Sequence, residues 1–168
     1  MICDLVKKLD EKLNLTQDIA LLGLRFMLAY TFFTPAMMKF SDLASVIMWF
    51  ESMGIPLPTL NAYMAASTEM AGVILLTLGL GTRFISIALI GVLSVAILTV
   101  HGMNGFAFVK EGSEVVNPYI NGELIEGTLV LLQNGYELIV YYMLMLFVLV
   151  SSGAGKLSID HILKSRNS

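Results

Sequence analysis

Apolar residues in this chain fall into four long runs that are separated by shorter polar segments. The runs are Ile19–Met38, Ala62–Leu80, Phe84–Val100 and Leu138–Ser152. A helix needs about 20 mostly apolar residues to cross a bilayer, and the two shorter runs reach that length with a turn added at one end. The pattern therefore predicts four membrane-spanning helices, over about residues 19–38, 62–80, 84–101 and 136–153.

The connections between these runs carry patterns of their own. Residues 2–13 place apolar side chains at helical spacing between lysines and acids, which predicts an amphipathic helix on the inner membrane surface. Residues 42–53 repeat the pattern, with Ser41 as the expected N-cap and Gly54 as the expected stop. Residues 102–136 form the longest connection, in which Asn121–Gly122 between β-prone runs predicts a hairpin.

Basic residues are unevenly distributed between the two sides of the predicted spans. If both termini are cytoplasmic, eight lysines and arginines lie inside and only Lys39 and Lys110 lie outside. We therefore expect both the N- and C-termini in the cytoplasm. The predicted fold is an all-α membrane protein of one domain over residues 1–168. It is an antiparallel four-helix transmembrane bundle with an N-terminal amphipathic surface helix and an outer loop or β-hairpin between spans three and four.

Composition narrows the function classes. The chain of 168 residues is 57% apolar and only 14% charged, which is typical of a membrane protein. Ten lysines and arginines against thirteen acids give a net charge of −3, so nucleic-acid binding is not expected. The single cysteine, Cys3, excludes an intramolecular disulfide and a cysteine-based zinc site. Redox chemistry would therefore need a bound cofactor.

Each predicted span carries an ionisable residue, and four of these residues map to the outer half of the membrane. They are Lys39, Glu69, His101 and Glu137, whereas Arg25 maps to the inner half, near Asp18 or Asp160. Charges inside a membrane are costly and usually mark functional sites. We predict that Glu69 is a buried acid, that Lys39 is its counter-ion or a substrate clamp, and that His101 and Glu137 carry protons.

Each of these residues also has a structural interpretation. Lys39 could extend to the interface, and Glu69 could form a purely structural ion pair. His101 could be an interfacial cap, and Glu137 could cap a helix start. Arg25 could anchor the inner side.

Eleven methionines raise the possibility of a copper site, since thioethers bind Cu(I), and seven of them map to the outer half. Methionine also fills irregular apolar gaps, and no tight Met-x-x-Met array is present, so no metal ligand is predicted.

Several short motifs resemble the DoxX family of small four-span membrane proteins, including its HvfX-like branch. They comprise Leu24-Arg25-Phe26 running to Lys39-Phe40, Glu69 to Gly72 followed by Leu78 to Arg83, His101, Glu137, and the segment Gly153 to Asp160. Ala36 departs from the glycine that often precedes the lysine of the first span. The resemblance covers about residues 19–163.

The resemblance implies an association with redox chemistry, because some relatives look like quinone-reactive subunits and others associate with membrane oxidoreductases. We expect a small inner-membrane subunit that binds a quinone-like molecule through Arg25, Lys39, Glu69 and His101, with Glu69, His101 and Glu137 as catalytic residues. Expected partners are the lipid bilayer, an oxidoreductase and a second copy of the chain. The alternatives are a non-enzymatic anchor for an oxidoreductase or a peptide-modification and metal-handling system, and a small exporter or copper-handling factor.

Overall fold

The computed structural model describes the backbone of residues 2–107, 109–111, 119–120, 123–124, 130–132 and 135–166, and the side chains of residues 15–107 and 135–166. Helices α1 to α4 are Ile2–Ser41, Leu43–Ser52, Pro58–Leu78 and Thr82–Ala96. Helix α4 continues as a π-helical turn over Ile97–His101 and a 3₁₀ turn over Gly102–Asn104. Helices α5 and α6 are Glu137–Ser152 and Ile159–Arg166.

Four short strands lie between α4 and α5. They are β1 (Val109–Glu111), β2 (Tyr119–Ile120), β3 (Glu123–Leu124) and β4 (Val130–Leu132). Strand β1 pairs with β4 and β2 pairs with β3, both antiparallel. The predicted hairpin turn, residues 121–122, lies outside the described residues, so the hairpin stays a prediction.

Helix α1 is one continuous helix of 40 residues. The prediction of a separate surface helix over residues 2–13 is therefore wrong for the backbone. The physical reason is that no glycine or proline occurs before Gly23, so nothing breaks the helix between the amphipathic segment and the apolar run.

Helix α2 begins one residue later than the sequence pattern predicts. Ser41 is the last residue of α1, where its hydroxyl donates to the Met38 carbonyl at 2.8 Å. Asp42 is the N-cap, because its carboxylate accepts from the Ser45 N–H at 3.1 Å. A carboxylate is an equally good acceptor for the first free N–H groups of a helix.

The long helices pack in sequence: α1 on α3, α3 on α4, α4 on α5, and α5 back on α1. The side chains at the centre of this packing are fully buried leucines, namely Leu28, Leu76, Leu89, Leu146 and Leu149. Gly72 lets α3 approach α4 closely, since a Cβ at this position would lie 2.9 Å from Cδ1 of Leu89. Helix α2 packs on α3.

In the described part of the chain, two helical segments are long and apolar enough to cross a membrane. They are Leu15–Ser41, with 27 residues, and Thr82–Asn104, with 23 residues. Helix α5 is apolar but shorter. That four of the helices span the membrane therefore stays a prediction.

Candidate functional site

A buried ion pair joins α1 to α3. Nζ of Lys39 donates to Oε1 of Glu69 at 3.0 Å and to Oε2 at 2.8 Å. The side chain of Glu69 is 7% exposed and that of Lys39 is 18% exposed. The pair is therefore almost enclosed, with its slight exposure on the lysine side.

Small residues on α3 allow this close approach. Ala62, Ala66 and Gly72 lie with Glu69 on the buried face of the helix. Helix α3 begins at Pro58, so Glu69 lies eleven residues along it, or about three turns. The carboxylate is thus at the middle of α3, deeper than the two turns that the predicted span implies.

The pair offers groups that could donate a hydrogen bond to a ligand and accept a proton. A charge in an apolar interior is tolerated when it is paired and hydrogen-bonded, as Glu69 is by Lys39. The two bonds to Glu69 use two of the three N–H donors of the Lys39 ammonium. The third donor suits an oxygen acceptor such as a carbonyl, with the carboxylate beside it able to accept a proton.

His101 and Glu137 lie near the connection between α4 and α5. His101 ends the π-helical turn and is half-buried. Glu137 is in the first turn of α5, where its carboxylate accepts from the Tyr141 hydroxyl at 2.6 Å and its N–H donates to the Phe106 carbonyl at 2.9 Å. The structure brings Lys39 and Glu69 into direct contact, and the convergence of His101 and Glu137 with them stays a prediction.

Arg25 lies away from the Lys39–Glu69 pair. Its side chain is buried, with the residue only 1% exposed, and it donates to the carbonyls of Leu76, at 3.4 Å, and Leu157. Leu76 is seven residues, about two turns, further along α3 than Glu69. The guanidinium therefore ties α1 to the end of α3 and to the segment before α6, and its predicted contact with a cofactor remains untested.

A second group of polar contacts at this end of the molecule was not identified from the sequence as a cluster. The carboxylate of Asp160 accepts from the backbone N–H groups of Gly81, at 2.8 Å, and Thr82, at 3.1 Å. Asp18 accepts from the Lys156 N–H at 2.9 Å. The Gly153–Asp160 segment was the available signal, because its alternating glycines and polar residues are typical of a tight, hydrogen-bonded turn.

Five of the seven methionines that are predicted to lie in the outer half are more than 45% exposed: Met37, Met38, Met48, Met64 and Met103. Their side chains project from the packed helices.

Comparison with known proteins identifies the family. A sequence model of the DoxX family matches residues 20–102, which include Arg25, Lys39, Glu69 and His101. This chain belongs to the DoxX family. It is a membrane protein, as the family and its apolar helices indicate.

Relatives of this DoxX protein include an uncharacterised protein of Haemophilus influenzae. It is 29% identical over 154 residues, which cover 87% of this chain and 84% of the relative. A Bacillus subtilis protein named "Putative oxidoreductase CatD" is 34% identical over 88 residues, 52% of this chain and 64% of the relative. No solved structure matches the chain.

Proposed function

We propose that this DoxX protein is a redox-associated subunit that binds a quinone-like molecule beside the Lys39–Glu69 pair. The observation that carries the proposal is the nearly enclosed, doubly hydrogen-bonded contact between these two side chains. Intramembrane ionisable residues mark functional sites by default. The name of the Bacillus subtilis relative supports redox chemistry of the same general class.

The residues present suit such a ligand. Lys39 would donate its third N–H to a quinone carbonyl oxygen, and Glu69 would hold or release a proton next to that oxygen. A bound quinone supplies the ability to take up two electrons and two protons. His101 and Glu137 would pass protons between the site and the outer surface, and histidine suits this role because its charge changes near neutral pH.

We also propose a membrane location, a topology and partners for the protein. The protein lies in the inner membrane as a multi-pass chain of four spans, with both termini in the cytoplasm and the hairpin loop outside. It acts with a membrane or extracytoplasmic oxidoreductase and belongs to the HvfX-like branch of the family. The small-residue faces of its helices provide a surface for a second copy.

The direct test is the quinone content of the detergent-purified protein. Wild-type protein should carry about one quinone per chain, and Glu69→Gln should carry none, because the neutral amide cannot take up a proton and offers Lys39 one acceptor oxygen and no charge. Glu51→Gln is the matched control, since this exposed glutamate on α2 undergoes the same chemical change away from the pair. Quinone retained in Glu69→Gln at the wild-type level would contradict the proposal.

A second variant separates function from folding. Lys39→Met combined with Glu69→Leu removes both charges, and replacing a buried ion pair by apolar side chains is often neutral or stabilising. This double variant should therefore fold and lack quinone. A stable double variant that still carries quinone would contradict a role of the pair in quinone binding.

A further inference from the structure

A cleft opens at the end of the molecule opposite the start of α3. It has a volume of about 590 Å³ and lies between α1, the α3–α4 turn and the segment that joins α5 to α6. Its walls include Asp18, Arg83, Lys156 and Asp160. This cleft is separate from the Lys39–Glu69 pair and has no part in the proposed quinone site.

The two carboxylates of the cleft and Arg83 differ in how far the protein itself satisfies their hydrogen-bonding groups. Asp160 accepts two backbone N–H groups, and Asp18 accepts the Lys156 N–H and lies 3.9 Å from Lys156 Nζ. Both carboxylates are thus held by the wall itself. Arg83 donates one bond, from Nη2 to the Ser151 carbonyl at 3.0 Å, which accounts for one of five guanidinium N–H donors.

Two further basic side chains, His161 and Lys164 of α6, also line the cleft. Arginine, lysine and histidine therefore outnumber the two carboxylates, and the cleft is suited to an anion. Phosphate groups are recognised in this way, through arginine N–H forks and lysine ammonium groups.

Apolar side chains also line the cleft. Leu21 and Phe84 belong to the lining, and Phe84 is 83% exposed. Ile162 does not line the cleft but follows the lining residue His161 in α6 and is 62% exposed. Arg83 is the second residue of the candidate span Thr82–Asn104, and the cleft also contacts α1 at Leu21, near the start of the other candidate span. The basic groups therefore lie where membrane-spanning helices end, which is the depth of lipid headgroups.

We propose that the cleft binds the headgroup of an anionic phospholipid, with the phosphate held by Arg83, Lys156 and Lys164. The acyl chains would lie along Phe84 and the exposed apolar side of α6. A soluble phosphate would satisfy the basic groups but would leave these apolar side chains without a partner. Basic pockets at the ends of membrane helices are a recurrent site for anionic headgroups.

The test compares ligands on the purified protein in neutral detergent. Phosphatidylglycerol at about 100 times its Kd should raise the thermal unfolding midpoint by roughly 5–10 °C, because a ligand stabilises only the folded state that it binds. Phosphatidylcholine and inorganic phosphate at the same concentration should raise it by clearly less. An equal rise with phosphatidylcholine, or with inorganic phosphate alone, would overturn the proposal, in the second case in favour of a soluble phosphate ligand.

Variants locate the site. Arg83→Gln and Lys164→Gln should each weaken phosphatidylglycerol binding about fivefold. Lys164 is exposed, so its variant is informative even if Arg83→Gln lowers folding through its lost bond to Ser151. Arg166→Gln removes the same charge from the same helix outside the cleft lining and should bind as wild type. Equal weakening in all three variants would mean diffuse attraction to the basic end and would refute a defined site.

Discussion

Gly79 shows how one residue couples two parts of the molecule. Its backbone is left-handed, with φ at +66°, and a Cβ there would overlap Nη1 of Arg25 and lie 2.7 Å from the Ser158 Cβ. The absent side chain therefore makes the space in which Arg25 reaches the carbonyls of Leu76 and Leu157. Gly81 shares the left-handed backbone, with φ at +58°, but a Cβ there would meet nothing within 4 Å.

This contrast gives a matched pair of variants. Gly81→Ala should cost about 1–2 kcal/mol of folding free energy, because only its backbone conformation is unfavourable. Gly79→Ala carries the same backbone cost and also pushes Arg25 away from the carbonyls of Leu76 and Leu157. The buried guanidinium then has unsatisfied N–H donors, which adds about 1–3 kcal/mol. Thermal unfolding of both variants in detergent measures the difference. Equal midpoints would show that Arg25 does not depend on the space at Gly79.

At the scale of elements, Asp160 fixes the start of α4. The first N–H groups of a helix have no partner within it, and α4 has no side-chain cap of its own. From the beginning of α6, Asp160 accepts from the N–H of the N-cap Gly81 and from the N–H of Thr82, the first residue of α4, 79 and 78 residues away in the chain. Its own N–H donates to the Gly79 carbonyl at 3.0 Å, so α6 is joined to the turn in both directions.

Replacing Asp160 should therefore loosen α4 and α6 together. Asp160→Ala removes both acceptors and should lower the free energy of unfolding by about 1–2 kcal/mol, the usual cost of a lost cap. Asp160→Asn keeps one carbonyl oxygen and should lie between wild type and the alanine variant. Amide hydrogen exchange at Gly81 and Thr82 measures the effect locally and should become faster in Asp160→Ala. An unchanged exchange rate there would contradict the prediction.

The elements also show what the sequence could and could not provide. Apolar runs such as Phe84–Val100 predict helices directly, because a periodic stretch of that length has few other stable conformations in a membrane. The pattern did not reveal that α1 is continuous, since an amphipathic segment can either lie on a membrane or extend an adjoining helix. The cap at Asp42 instead of Ser41 depends on the φ and ψ angles of a single residue.

For the site, the sequence singles out individual residues but does not predict their contacts. Residue type and depth single out Glu69 and Lys39 individually, but the 2.8 Å contact depends on how α1 and α3 are rotated about their axes, which spacing does not determine. Arg25 was identified as an intramembrane charge, while its carbonyl partners come from two distant segments. The cleft around Arg83 combines three such segments and could not be assembled from local patterns.

At the scale of the whole molecule, the proposed orientation is open to direct measurement. Cys3 is the single cysteine, so a membrane-impermeant maleimide should label it only after cells are permeabilised. Met103 is 94% exposed in the last turn of the candidate span Thr82–Asn104, and in a Cys3→Ser background Met103→Cys should be labelled in intact cells. Labelling of Cys3 in intact cells would contradict the proposal that both termini are cytoplasmic.

The unbroken length of α1 has a mechanical consequence. From Ile2 to Thr34, just before Pro35, the helix runs for about 50 Å, well beyond the roughly 30 Å of a bilayer's hydrocarbon core. The helix is held in the bundle along the way, because Asp18 accepts from the Lys156 N–H and Arg25 donates to the carbonyls of Leu76 and Leu157. A rigid element of this kind carries a displacement along its axis rather than absorbing it. A protein that pushed or pulled on the N-terminal end of α1 would therefore act through one rod on the helix that carries Lys39.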